Sequence, residues 1–234
     1  MKKLLPIYFL IALAGLFPTR APADDLARGL VGWWRLDGNL TDASGNGNHG
    51  TVGAGSAAYA AGVYGQAWDN DATRYASVSP GIPMTENMTF AFWIRRTASG
   101  SFALISRRNG FAPGYTVFLL NDVINFDFRA ASNAPRWNTG WTAPANTWAH
   151  VVIIRTPSVV RLFVNASQQS FSSDSNAIGS VGEPTGSTNI GATGNDASLR
   201  FVGQLANLMI YNRALTPSEI RALYALGSPI GLAP

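Results

Sequence analysis

The sequence predicts an all-β fold, a sandwich of two antiparallel sheets with one short C-terminal helix. Three observations predict it. Short apolar runs rich in β-branched and aromatic residues recur along the chain, each bounded by Gly, Asn, Asp, Ser or Pro. The 24 Gly and 13 Pro among 234 residues interrupt helices too often for a bundle. Only 13% of residues are charged, and 7 Trp, 7 Tyr and 12 Phe call for burial, which excludes a disordered chain.

Residues 1–23 read as a secretory signal peptide. Lys2 and Lys3 form its charged start, Leu4 to Phe17 is apolar apart from Pro6, and Ala21-Pro22-Ala23 supplies the small residues of a cleavage site. The alternative is an uncleaved anchor, but the apolar run falls short of the roughly 20 residues that cross a bilayer. No later segment reaches that length, so no transmembrane segment is expected after cleavage. Residues 24–29 form a short leader, 30–227 one domain, and 228–234 a tail.

Eleven runs are predicted strands: Leu30–Leu36, Ala67–Trp68, Tyr75–Val78, Met88–Arg96, Phe102–Arg107, Tyr115–Leu120, Ile124–Arg129, Trp148–Arg155, Val159–Val164, Thr188–Gly191 and Phe201–Tyr211. In the fourth, Met88, Phe90, Phe92 and Ile94 alternate with Thr89, Ala91, Trp93 and Arg95. One apolar face of this kind belongs to an antiparallel sheet packed on another layer. Asn121-Asp122 between two runs is a hairpin turn. Thr216-Pro217-Ser218-Glu219 is a capping box with Pro at the first helical position. Ile220, Leu223 and Tyr224 follow at helical spacing, and Gly227 ends the helix.

Composition excludes several chemistries. With no Cys there is no disulfide framework, Fe–S cluster, thiolate zinc site or thiol nucleophile. Loss of Lys2, Lys3 and Arg20 with the signal peptide cuts the 17 cationic residues to 14, against 13 acidic ones. A balance this even gives no long-range pull on nucleic acid or an anionic membrane. Every remaining cation is Arg, which removes phosphate-loop and Schiff-base lysines.

Four segments in order resemble a known family. They are Leu30-Val31-Gly32-Trp33-Trp34-Arg35-Leu36-Asp37-Gly38-Asn39; Asp42-Ala43-Ser44-Gly45-Asn46-Gly47-Asn48-His49-Gly50-Thr51; Asn146-Thr147-Trp148-Ala149-His150-Val151 with Val160-Arg161-Leu162-Phe163-Val164-Asn165; and Ile210-Tyr211-Asn212-Arg213-Ala214-Leu215-Thr216 running into Glu219-Ile220 and Leu223-Tyr224. Their order and spacing resemble a LamG-like domain of the concanavalin A-like lectin/glucanase superfamily, from about residue 30 to 226. The resemblance implies a jelly roll whose N- and C-terminal strands meet in one sheet. It also implies a family that mostly binds glycans or serves as an accessory module.

Two site expectations follow. The Gly-rich loop Asp42–Gly50 can turn carbonyls toward one point, and with Asp37, Asp42, Asn46 and Asn48 it suggests an oxygen cage for Ca²⁺. The resemblance implies an acidic pair completing that cage from the last long strand, where this chain has Ala206-Asn207. Structural calcium is therefore expected to bind weakly or not at all; otherwise the loop is a tight turn held by Asn and Ser side chains. The second candidate is Arg136, Trp137, Asn138 and Trp141, read as a rim loop where sugar C–H faces stack on Trp and polar neighbours read hydroxyls. The competing reading has both Trp capping the core.

Paired carboxylates for glycoside hydrolysis are not evident. Of three Glu, Glu219 belongs to the capping box, and Glu86 and Glu183 lie in Pro/Gly-rich loops. The expectation is a non-enzymatic module, secreted or periplasmic, that binds carbohydrate through rim loops or a sheet face. The alternative is a structural or adhesive module that docks to protein.

Overall fold

A computed structural model describes residues 26–108, 112–129, 136–170, 182, 184–194 and 197–227. The signal peptide, the first two leader residues, the 228–234 tail and Glu183 lie outside these described residues.

Fifteen strands are described: β1 (Leu30–Trp34), β2 (Gly50–Ala54), β3 (Tyr59–Ala61), β4 (Gln66–Asp71), β5 (Tyr75–Val78), β6 (Met88–Arg96), β7 (Phe102–Arg107), β8 (Gly114–Leu120), β9 (Val123–Arg129), β10 (Arg136–Thr142), β11 (Ala149–Arg155), β12 (Val160–Val164), β13 (Ser167–Gln169), β14 (Thr188–Ile190) and β15 (Val202–Tyr211). Helix α1 (Pro217–Leu226) follows. Sheet I runs β13-β12-β11-β6-β15-β4-β3, and sheet II runs β10-β9-β8-β7-β14-β5-β2. Within both sheets, the pairings between strands are antiparallel. This is the jelly-roll sandwich that the sequence predicts.

β15 organises sheet I. One of its edges pairs with β6 along nearly its whole length. The other is shared, first by β4 through Val202–Leu205 and then by β1 through Leu208–Tyr211. The two ends of the fold therefore meet in one sheet. At the handover the register shifts and Asn207 takes φ 48°, its N–H donating to the Arg35 carbonyl at 3.0 Å.

The main core lies between the sheets. Phe90, Phe92, Val151 and Ile153 of sheet I meet Tyr115, Val117, Phe126 and Phe128 of sheet II. One expectation is corrected here. The second face of β6 is buried as well, because α1 lies over it. Ala91, Val152 and Ile154 pack under Ile220 and Leu223. Arg96 at the end of β6 is also buried; it donates to the Ala143 carbonyl and pairs with Asp122 at 3.4 Å.

The two local motifs form as predicted. Asn121 and Asp122 take φ 49° and 69° between paired Leu120 and Val123, the backbone of a two-residue hairpin turn. Thr216 Oγ1 accepts from Glu219 N at 3.3 Å, and Glu219 Oε2 accepts from Thr216 N at 2.7 Å. Thr216→Ala removes one half of that reciprocal cap, and thermal unfolding is expected to show a loss of about 1 kcal/mol. Gly227 ends the helix by donating to the Leu223 and Tyr224 carbonyls, and a Cβ there would run into Trp93 Nε1.

Candidate functional site

The Arg136–Trp141 segment is not a rim loop but an edge strand, β10. Its register with β9 sets Arg136 opposite Asp127, Trp137 opposite Phe126 and Asn138 opposite Asn125. Alternation then turns Trp137 inward. It is 2% exposed, with its ring 5.9 Å from that of Phe126, so it has no face to offer a sugar. Trp141 is half-buried against the same core. This corrects the stacking role expected of the two Trp in favour of core packing. Arg136 and Asn138 do face outward. Arg136 Nε lies 3.0 Å from Asp127 Oδ1, Arg108 holds Oδ2 at 2.9 Å, and the Arg136 guanidinium sits 5.1 Å over the Phe118 ring. Arg136 is thus committed to a structural carboxylate.

The five residues expected around calcium are not gathered into a cage. Asp42 Oδ1 accepts from the backbone N–H of Trp33 and Ser44, both at 2.9 Å, and Oδ2 accepts from Asn48 N at 2.9 Å. Burial alone would raise the Asp42 pKa, but these hydrogen bonds outweigh it and hold the carboxyl below its ordinary value. Asn46 and Asn48 turn their amide nitrogens, not their oxygens, toward the Leu30 and Val31 carbonyls at 2.8 Å. Asp37 is engaged elsewhere, with Gln66 N at 2.7 Å. Asn207 lies across on β15. Oxygens already filled by N–H donors, with amide hydrogens on the facing carbonyls, do not fit a Ca²⁺ cage. Among the described residues no group of three or more His, Asp or Glu converges on one point.

What the fold does assemble is a cleft of about 540 Å³ on the outer face of sheet I, bounded by α1, β1 and the loop at Ala43-Ser44. Four aromatic residues line it, Trp33, Tyr64, Trp93 and Tyr211, together with the polar Arg35, Asn207 and His150. Trp33, Trp93, His150 and Asn207 come from strands whose partner strands fix them, Arg35 follows β1 directly, and Tyr64 lies in the turn between β3 and β4. Trp34 fills the core, so its neighbour Trp33 must point the other way. His150 pairs with Trp93 across β11 and β6, and Trp93 stacks on Tyr224 of α1 at 5.6 Å. Arg35 lies with its guanidinium 6.0 Å from the Trp33 ring centroid.

The polar atoms of this wall are unusually bare. Trp33 Nε1 and His150 Nδ1 are buried with no hydrogen-bond partner. His150 is 3% exposed, and burial pushes its pKa down to about 3, so the imidazole is neutral. Trp33 and His150 fall within predicted strands, and no local pattern marks Arg35 as a site residue. The available signal is the adjacent pair Trp33-Trp34, which cannot share one face of a strand. The two described Glu are held in ion pairs. Glu86 pairs with buried Arg155 at 2.9 Å, and Glu219 pairs with Arg213 at 2.6 Å.

Comparison with known proteins agrees with this architecture. No curated protein matches the chain in sequence. Domain 4 of AbnA, an extracellular arabinanase from Geobacillus stearothermophilus solved in complex with arabinotriose, is similar at TM-score 0.69 and 20% identity, covering 83% of this chain and 98% of that one. The binding domain of Paraclostridial Mosquitocidal Protein 1 is similar at TM-score 0.70 and 19% identity, covering 86% of this chain. A botulinum neurotoxin type C structure that concerns interaction with two ganglioside molecules is similar at TM-score 0.66 and 11% identity, covering 88%. The chain spans 53% of each toxin structure. At these identities the likeness shows the fold. The family model Laminin_G_3 matches residues 70–221, more than half of the chain. The chain belongs to that family, within the concanavalin A-like lectin/glucanases superfamily.

Proposed function

We propose that this chain is a non-catalytic carbohydrate-binding module, and that the sugar sits in the cleft on sheet I rather than on β10. One observation carries the reading. Aromatic rings and polar side chains share one cleft of about 540 Å³, within the size range of small-ligand sites. Trp33 and Tyr64, both half-buried, supply ring surface for sugar C–H faces, while Arg35 and Asn207 are placed to read hydroxyls. Among the described residues no Asp or Glu lines the cleft, where a glycosidase would carry two carboxylates. The arabinotriose complex of AbnA domain 4 supports a carbohydrate ligand by likeness of fold. A protein-docking module would call for a broad apolar patch. Among the described residues the exposed large apolar side chains are Val52, Leu120 and Leu226, on three different elements. With residues 1–23 read as a signal peptide, the module acts outside the cytoplasm, secreted or periplasmic. No described helix is long and apolar enough to cross a membrane.

Glycan-array binding of the purified chain tests the proposal. At least one glycan is expected to bind, with Trp33→Ala weakening it roughly tenfold, about 1.4 kcal/mol, and Asn138→Ala leaving it unchanged. No binding to any glycan, or loss in Asn138→Ala with Trp33→Ala unaffected, overturns it.

A further inference from the structure

Of the exposed arginines without an ion-pair or hydrogen-bond partner among the described residues, Arg28, Arg35, Arg161 and Arg221, only Arg35 lines the cleft. Arg74, Arg96, Arg108, Arg136, Arg155 and Arg213 each pair with a carboxylate. Arg95, Arg107 and Arg200 donate to backbone carbonyls. The exposed guanidinium of Arg35 has no ion-pair or hydrogen-bond partner among the described residues. It lies 6.0 Å from the centroid of the Trp33 ring, which places a cation over an aromatic face in the cleft.

The rest of the wall has the same bias. Among the described residues Arg35 is its single charged side chain, and no described acidic group lines it. Trp33 Nε1–H is a donor with no acceptor. His150, 3% exposed, also lines the cleft, and its Nδ1 has no partner. A neutral sugar offers hydroxyls that both donate and accept, and its donors would need acceptors that this wall supplies sparingly. A carboxylate only accepts, and an arginine can hold it through two parallel hydrogen bonds. Trp93, Met209 and Leu223 add apolar surface to the same wall.

We infer that the cleft takes an acidic sugar, a uronic-acid unit of an oligosaccharide, with its carboxylate on Arg35 and its ring against the aromatic wall. This rests on the carbohydrate reading above and narrows it to one ligand class.

Calorimetric titration of the full chain separates the two claims. The probes are oligosaccharides of galacturonate, glucuronate, mannuronate and guluronate, each beside its carboxyl-reduced neutral counterpart, with a sulfated neutral oligosaccharide as a further arm. At least one acidic probe is expected to bind at least roughly tenfold tighter than its reduced form, about 1.4 kcal/mol. Arg35→Gln is expected to erase that difference without lowering the melting temperature, since the side chain is exposed and holds nothing else. Arg35→Lys keeps the charge and is expected to restore part of it. Neutral probes binding as tightly as acidic ones, an unchanged acid affinity in Arg35→Gln, or preference for the sulfated probe overturns the inference and leaves the carbohydrate reading standing. Binding of no probe, together with an empty glycan array, removes both.

Discussion

Phe90→Ala is expected to destabilise the fold by about 3–5 kcal/mol, the range for truncating a fully buried aromatic. Phe90 is 0% exposed at the centre of β6, paired with Ile153 on one side and Ile210 on the other. Its ring lies 5.1 Å from Tyr115, 5.9 Å from Phe126 and 6.4 Å from Phe128, all on sheet II. It is therefore the side chain through which the middle of one sheet is packed on the middle of the other. Neighbours held by two ladders each cannot collapse into the space left behind, so the cavity cost adds to the lost transfer energy. Phe118→Ala is the comparison. That ring is half-buried on the outer face of sheet II beneath Arg136, and its loss is expected to cost less than about 1.5 kcal/mol. Urea unfolding of the two variants measures the difference. Equal losses would mean that the two-sheet core has been placed wrongly.

Phe90 also shows what was legible in the sequence. Met88–Arg96, rich in aromatic and β-branched residues and free of Gly and Pro, announces a strand by itself, and the capping box of α1 is chemistry within four residues. Signals of that range survive without tertiary context. β10 did not, because Asn138 and Gly140 carry turn character, and Gly140 does take φ 68°. Only the ladder to β9 makes that segment a strand and sends Trp137 inward. The short strands β2, β3 and β13 are likewise created by their partners β5, β4 and β12. The cleft was less legible still. Alternation along β11 sets His150, Val152 and Ile154 against one layer and Val151 and Ile153 against another. Nothing local says that the first layer is a helix ending at Gly227, nor that it stops short and leaves His150 lining the same cleft as Trp33. Three remote segments must be brought together before Arg35 becomes a lone cation on an aromatic wall.

Asp42 carries the other large effect, and its sign can be worked out. Its carboxylate takes three backbone N–H groups, from Trp33, Ser44 and Asn48, and so ties the loop to β1. Asp42→Ala orphans all three donors and is expected to cost about 2–3 kcal/mol. Asp42→Asn keeps one oxygen for the Trp33 and Ser44 donors but sets an amide NH₂ against Asn48 N–H, so its loss should fall between Ala and wild type. Because the folded pKa lies below the ordinary 3.8, the charged form is the one the fold favours. That stabilisation is fully present above the unfolded pKa and disappears as pH falls through the folded one. The stability gap between wild type and Asp42→Asn is therefore expected to be flat from neutral pH to about 5 and to narrow below about 4. Glu219, also held below its ordinary value, titrates in the same range in both proteins and cancels in the comparison. A gap that widened on acidification would mean that the carboxylate is not the acceptor of those three N–H groups. The same geometry bears on calcium. A cation would have to displace three N–H donors from Asp42 and rotate the amides of Asn46 and Asn48, so millimolar Ca²⁺ is expected to leave the wild-type melting temperature unchanged. A rise that Asp42→Asn abolishes would instead make the loop a metal site.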